Sequence, residues 1–222
     1  MTLLGLDSST AAATAAVVRD DGEGFDVTPP VERLGRPPAH ARELMPAVAD
    51  VMGRAKVEWG DLDAIAVGVG PGTFTGLRIG IATARALATA AELPLRRVSS
   101  LAALARGIDG PLRLPLIDAR RGELFAALFD GERELWPPFA AAPEEVVTRL
   151  RQGGFSPLSA GDGSLRFRGM LEEAGISVLA QESEAHVVSA LHICHLGLGA
   201  EDEPPEAVLP EYLREPDAKP QQ

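Results

Sequence analysis

Short apolar runs alternate with helix-period stretches along this chain, the pattern of an α/β protein. Residues 3–6 are apolar and end at a polar turn, Asp7-Ser8-Ser9-Thr10; apolar character resumes over residues 14–19, so residues 2–19 read as a β-hairpin. Residues 20–38, rich in Gly, Pro and charge, read as loop or weak edge strand. Leu44, Val48, Val51 and Met52 recur at helical spacing. Pro46 stands early in that stretch, and the regular helix is expected to begin there rather than at Ala41. Residues 61–69 enter a strand. A glycine-rich turn follows and opens a helix to about residue 91, dense in alanine at Ala82, Ala84, Ala86, Ala88, Ala90 and Ala91. Alanine favours helix and lets another helix approach closely. Residues 95–98 form the next strand, and Ser99 or Ser100 caps a helix over 101–106.

A second unit starts near residue 112 and echoes the first. Residues 114–117 are apolar, Asp118-Ala119-Arg120-Arg121-Gly122 turns, and residues 123–129 return as a strand. Pro143-Glu144-Glu145 suits the first turn of a helix. Residues 159–163 end a strand, residues 164–174 are helical, and Ser183 is placed to cap a helix running to about residue 198. The expected division is residues 1–106 and 107–207, with the tail, about 208–222, packing back on the first lobe.

The chain has 222 residues, 45% hydrophobic and 24% charged, enough for one large or two small domains. No basic leader precedes the first strand and no apolar run approaches a membrane span. The single cysteine, Cys194, excludes an internal disulfide and suits a reducing cytoplasm. A net charge of −11 with few aromatic residues argues against a broad nucleic-acid surface.

Candidate chemistry concentrates in three places. The turn at residues 68–80, with Gly68, Gly70, Gly72 and Thr73, precedes a helix N-terminus; it reads equally as an anion cradle or as a tight packing turn. It lacks the Lys-Ser/Thr of a P-loop. Asp7, Ser8, Ser9 and Thr10 in one turn and Asp118 in the matching turn could surround nucleotide phosphates, or could be ordinary turn residues. His186, His192, Cys194 and His195 fall in one stretch and read as packing or partner contact more readily than as a metal site. No nucleophile–base set can be argued from spacing, so no catalytic residue is assigned.

Taken together, these segments resemble the bacterial TsaB (YeaZ) family. The carrying residues are Leu6-Asp7-Ser8-Ser9-Thr10, His40-Ala41-Arg42-Glu43-Leu44-Met45-Pro46, the glycine-rich run from Gly68 to Gly80, and Val98-Ser99-Ser100-Leu101. Ile117-Asp118-Ala119-Arg120-Arg121-Gly122-Glu123, Gly161-Asp162-Gly163 and Tyr212-Leu213-Arg214 complete them. The resemblance implies a two-lobed actin/Hsp70-like (ASKHA) fold, each lobe a mixed sheet flanked by helices. It implies a subunit of the machinery that installs threonylcarbamoyl on adenosine 37 of tRNA. The partners would be a TsaD-like catalytic subunit and a TsaE-like ATPase, with tRNA held through the complex, no membrane, and a homodimer when the protein is alone. ATP or ADP is the cofactor such a fold allows. TsaD-like chains carry a His-x-x-x-His metal pair; here His40 is followed by Leu44, so no metal is expected. The alternatives are an ATP-binding transferase acting alone and a glycoprotease-like metallopeptidase. The expected partner surface is Thr75, Arg78, Ile79, Ala82 and Ala86, with Leu44 and Val48 from the preceding helix.

Overall fold

The computed structural model describes residues 1–214. Two five-stranded sheets carry the chain. In the first, β1 (Leu3–Asp7), β2 (Thr14–Val18) and β3 (Gly24–Val27) form an antiparallel meander. Helix α1 (His40–Ala55) then returns the chain to β4 (Ala64–Gly70), parallel to β1, and α2 (Phe74–Ala91) leads to β5 (Leu95–Ser99), parallel to β4. The strand order is β3-β2-β1-β4-β5.

Helix α3 (Ser100–Arg106), capped by the Ser99 hydroxyl, leads into the second sheet. There β6 (Leu112–Arg120), β7 (Glu123–Asp130) and β8 (Arg133–Ala141) form another meander. Helix α4 (Pro143–Gly153) precedes β9 (Leu158–Ala160), parallel to β6; the short helices α5 (Asp162–Arg166) and α6 (Arg168–Glu173) precede β10 (Ser177–Val178). The order, β8-β7-β6-β9-β10, repeats that of the first sheet. The pattern echo read from the sequence is thus a repeat of topology: Asp7 ends β1, and Asp118 lies two residues before the end of the equivalent strand β6.

The segment read as loop or weak edge strand holds the edge strand β3 and a 3-10 turn, Val31–Gly35. Two expectations are corrected. Helix α1 begins at His40, with Pro46 in its interior. Proline removes one helical hydrogen bond, but Pro46 and Arg42 are both exposed, so the carbonyl left over faces solvent. Ser183 caps only a 3-10 turn, Glu184–His186; the extended Val187 and then Val188 follow, and Ser189 caps the real helix, α7 (Ala190–Gly197). Beta-branched valines resist helix here and are buried instead.

Helix α7 packs between the two sheets. Its place in the chain assigns it to the second lobe, yet it packs on β1 and β2, where Ala190 and Cys194 join a buried cluster with Leu3, Ala16 and Val18. Its other side meets α3: Ile193 shares a core with Leu101, Leu104 and the second-sheet residues Ile117 and Phe125. The two sheets therefore meet through α3 and α7. The described part of the tail lies on the first lobe, with Val208 fully buried in its core. Residues 215–222 lie outside the described residues.

Candidate functional site between the lobes

A row of glycines decides the character of the site. Gly72, Gly76 and Gly80 stand four apart and so share one side of the chain as it enters and climbs α2. A Cβ on Gly72 would come 2.5 Å from the Ser9 carbonyl oxygen; on Gly76 or Gly80 it would overlap the Ser8 carbonyl oxygen or hydroxyl. The missing side chains let α2 lie directly on the Ser8-Ser9-Thr10 turn. The glycine-rich run therefore packs α2 against this turn, while Gly72 and Thr73 also border open space on their other side.

Asp7, Ser8, Ser9 and Thr10 are consequently all at most 1% exposed. Asp7 Oδ1 accepts from the Ser9 amide at 2.9 Å and the Ser9 hydroxyl at 2.7 Å; Oδ2 accepts from Ser100 at 2.8 Å. The Ser8 hydroxyl donates to the Gly76 carbonyl. Burial pushes the Asp7 carboxyl above the usual carboxylate range, against the opposing pull of those hydrogen bonds. None of these four residues lines the open interlobe cleft. Gly70, at φ +118°, is also closed off, against the Glu211 carbonyl.

An open cleft of about 650 Å³ lies alongside. Gly72 and Thr73 line one wall and the Asp118–Arg121 turn the other, so the structure does bring these two predicted elements together. Asp118 is itself 4% exposed and committed to cations. Its carboxylate pairs with Arg166 at 2.7 Å and Arg120 at 3.0 Å and accepts from the Arg120 amide. Arg120 and Arg121 both sit in the left-handed region, at φ 64° and 54°; that conformation is strained for side chains of this size. Asp162 accepts from the Asp118 amide at 2.9 Å. Burial, reinforced by the nearby Asp118 charge, raises the Asp162 carboxyl to about 6.

The histidines do not assemble a metal centre. His40 is buried and hydrogen-bonded through Nε2 to the Thr10 carbonyl at 2.7 Å, while Glu43 pairs with Arg33 at 2.9 Å instead. Leu44 fills the position of a second ligand and is 1% exposed in the core. His186 is buried: Nδ1 accepts from the Gly161 amide and Nε2 meets the Ala180 carbonyl, and burial keeps its imidazole below the usual histidine range. Burial raises the Cys194 thiol to about 12, which makes it an inert core side chain. Among the described residues no three potential ligands cluster for a metal.

The expected partner surface divides in two. Thr75, Arg78, Ala82 and Ala86 are exposed and Ile79 is half-buried, all on one face of α2. Leu44 and Val48 are each 1% exposed and belong to the first-lobe core, which removes them from any contact surface. The periodicity that marked them as apolar marked the inward face of α1; Met45, 44% exposed, faces outward there. Sequence reasoning missed Phe74 and Glu211 as cleft residues and did not place Tyr212 or Arg214 there, although the apolar tail was expected to dock. No helix among the described residues is long and apolar enough to cross a membrane.

Comparison with known proteins agrees with this architecture. Residues 37–148 match the family model for TsaD, tRNA N6-adenosine threonylcarbamoyltransferase. The tRNA threonylcarbamoyladenosine biosynthesis protein TsaB of Escherichia coli is 32% identical over 187 residues, covering 79% of this chain and 78% of its own. A Pseudomonas aeruginosa structure of a protein with similarity to peptidase YeaZ superposes with a TM-score of 0.79 at 30% identity, covering 96% of this chain and 99% of its own. The ethanolamine utilization protein EutJ of Carboxydothermus hydrogenoformans, 14% identical over 87% of this chain and 89% of its own, shares the fold at a TM-score of 0.50. The two lobes are those of an actin-like ASKHA fold, and the chain belongs to the TsaB (YeaZ) family of tRNA threonylcarbamoyladenosine biosynthesis proteins.

Proposed function

We propose that this protein is a non-catalytic partner subunit of the complex that installs threonylcarbamoyl on adenosine 37 of tRNA, and that it docks a TsaD-like catalytic subunit through the exposed face of α2. The observation that carries this reading is the pairing of a sealed first-lobe turn with an open helix face. Asp7 through Thr10 are buried beneath α2, while Thr75, Arg78, Ala82 and Ala86 on its other side are uncovered. Small side chains permit close helix–helix approach, and stable interfaces resemble a core cut in half. ATP or ADP, if bound, would sit in the cleft between Thr73 and Asp118 without help from the Asp7 turn. A TsaE-like ATPase joins the assembled pair, and tRNA is held by the partners, in keeping with the net charge of −11. The same α2 face gives a homodimer when the catalytic subunit is absent. The site of action is the cytoplasm.

The test combines reconstitution with two substitutions. Threonylcarbamoyl transfer to tRNA is expected only when this protein and the TsaD-like subunit are both present. The double variant Ala82→Arg, Ala86→Arg is expected to keep its circular dichroism and to lose about tenfold or more in heterodimer affinity by calorimetry. Unchanged affinity in the folded variant would place the interface elsewhere; transfer by this chain alone would favour a stand-alone transferase.

A further inference from the structure

We propose that residues 211–214 form a latch across the interlobe cleft, and that a protein seated on the exposed face of α2 opens it; the opening, though not the latch, rests on the docking reading above.

The segment behind the latch is firmly anchored on the first lobe. Leu95 and Glu203 exchange two backbone hydrogen bonds of 2.9 and 2.8 Å, which cover the free edge of β5. Arg96 pairs with Asp202 at 2.6 Å, and Val208 is fully buried. The last firm point is Glu211, whose amide donates to the Val69 carbonyl at 2.8 Å and whose carboxylate meets Arg97 at 2.7 Å.

Beyond Glu211 the chain leaves the first lobe. Tyr212 stacks on Phe74 with ring centroids 5.3 Å apart, and its hydroxyl accepts from Arg78 Nε at 3.0 Å. The Arg78 guanidinium in turn lies 3.8 Å over the Phe74 ring. Arg214 then reaches the second lobe, donating to the Ala119 carbonyl at 3.0 Å and pairing with Glu123 at 3.0 Å. A single short stretch thus ties α2 to the Asp118 turn over the mouth of the cleft. Phe74 is 41% and Tyr212 38% exposed, and Arg214 and Glu123 are also partly open to water. Contacts so exposed are individually weak. Weak contacts on a firm base suit an element that must release reversibly. The groups that hold Tyr212 are Phe74 and Arg78, and Arg78 belongs to the exposed face of α2. An occupant that engages Arg78 and covers Phe74 competes directly for the closed latch.

Tyr212 is the one tyrosine of the chain, so a 3-fluorotyrosine label reports on the latch alone. In the isolated protein, Phe74→Ala and Arg214→Ala are each expected to speed amide exchange over residues 118–123 about three- to tenfold. Phe74→Ala is also expected to move the fluorine resonance towards that of the unfolded chain. Tyr212→Phe, which keeps the stack and removes only the bond to Arg78, is expected to show a smaller acceleration. Exchange at 118–123 that is the same in parent, Phe74→Ala and Arg214→Ala overturns the latch. Addition of the TsaD-like subunit is expected to shift the resonance at the stoichiometry seen by calorimetry. Binding heat with an unmoved resonance overturns the opening. Absence of binding heat refutes the docking reading and the opening with it, and the variants still decide the latch.

Discussion

Asp7 ends β1 and Asp118 stands two residues before the end of the equivalent strand β6, in two sheets of the same order, yet their surroundings are opposite. Asp7 is met by hydroxyls and a backbone amide, lies under α2, and faces no solvent. Asp118 is met by two arginines that are about half exposed and forms part of the cleft wall. A repeated topology therefore does not imply a repeated site. What differs is the next element: α2 carries glycine where it crosses the Asp7 turn and can descend onto it. In the second lobe the short α5 brings Asp162 and Arg166, which hold Asp118 by polar contacts and leave the turn beside open space.

The largest effect that would break this comparison is at Gly76. Gly76→Val must push α2 off the Ser8 carbonyl, and we expect a loss of about 3 kcal/mol or more in urea denaturation, at the upper end of overpacking costs. The reason is close approach and not backbone conformation; the same holds at Gly72, where only the Ser9 contact forbids a side chain. Gly122, in the second-lobe hairpin, has φ +83° and open space where a Cβ would stand, with no neighbouring atom within 4 Å. Gly122→Ala should cost only the left-handed penalty, about 1–2 kcal/mol. Equal losses at the two sites would refute the idea that packing seals one turn and not the other.

Removing the carboxylates comes next. Asp7→Ala leaves three buried donors without an acceptor, and about 2–4 kcal/mol is expected, because unmet buried polar groups carry their full desolvation cost. Asp118→Ala frees two arginines that water can reach, and about 1 kcal/mol is expected. Thermal or urea unfolding of both variants checks the order; a costlier Asp118 substitution would contradict it.

The smallest effect depends on pH. Asp162, raised to about 6, is protonated in the folded chain between roughly pH 4 and 6, where the unfolded chain has already lost its proton. Through this group the folded state is favoured below about pH 4, and that advantage is lost as pH rises through 6. Asp162→Asn keeps an acceptor for the Asp118 amide without the charge. It is expected to gain about 1–2 kcal/mol at pH 8 and nothing at pH 4, after discounting the shift for partial hydration. His186, held below its usual range, works in the opposite direction: its protonation in the unfolded chain weakens the fold as pH falls below about 6.5. Measuring the variant against the parent at each pH separates the two. A gain that is the same at pH 4 and pH 8 would dissociate Asp162 from the titration.

Much of this fold was legible because local pattern and burial agree. The apolar runs of β1, β2, β4, β6 and β7, the capping Ser99 and the small residues of α2 could each be read from a few neighbours in sequence. Strand β8 is unassigned from the sequence, and it contains Pro137 and Pro138. Proline cannot donate to a ladder, but β8 is an edge strand, where one side needs no partner. The two valines after His186 likewise interrupted a helix that a serine cap had seemed to start.

By itself the sequence determined the family, the α/β alternation and the two matching hairpins, since these reside in short motifs and in local periodicity. It did not show how closely α2 lies on the Asp7 turn, it put Leu44 and Val48 on the contact face, and it gave the tail a lobe without its contacts. Only the tertiary structure decided these. The answers depend on which atoms, distant in sequence, share the same space: Ser8 and Ser9 under Gly72, Gly76 and Gly80, Leu44 and Val48 in the first-lobe core, and Tyr212 against Phe74.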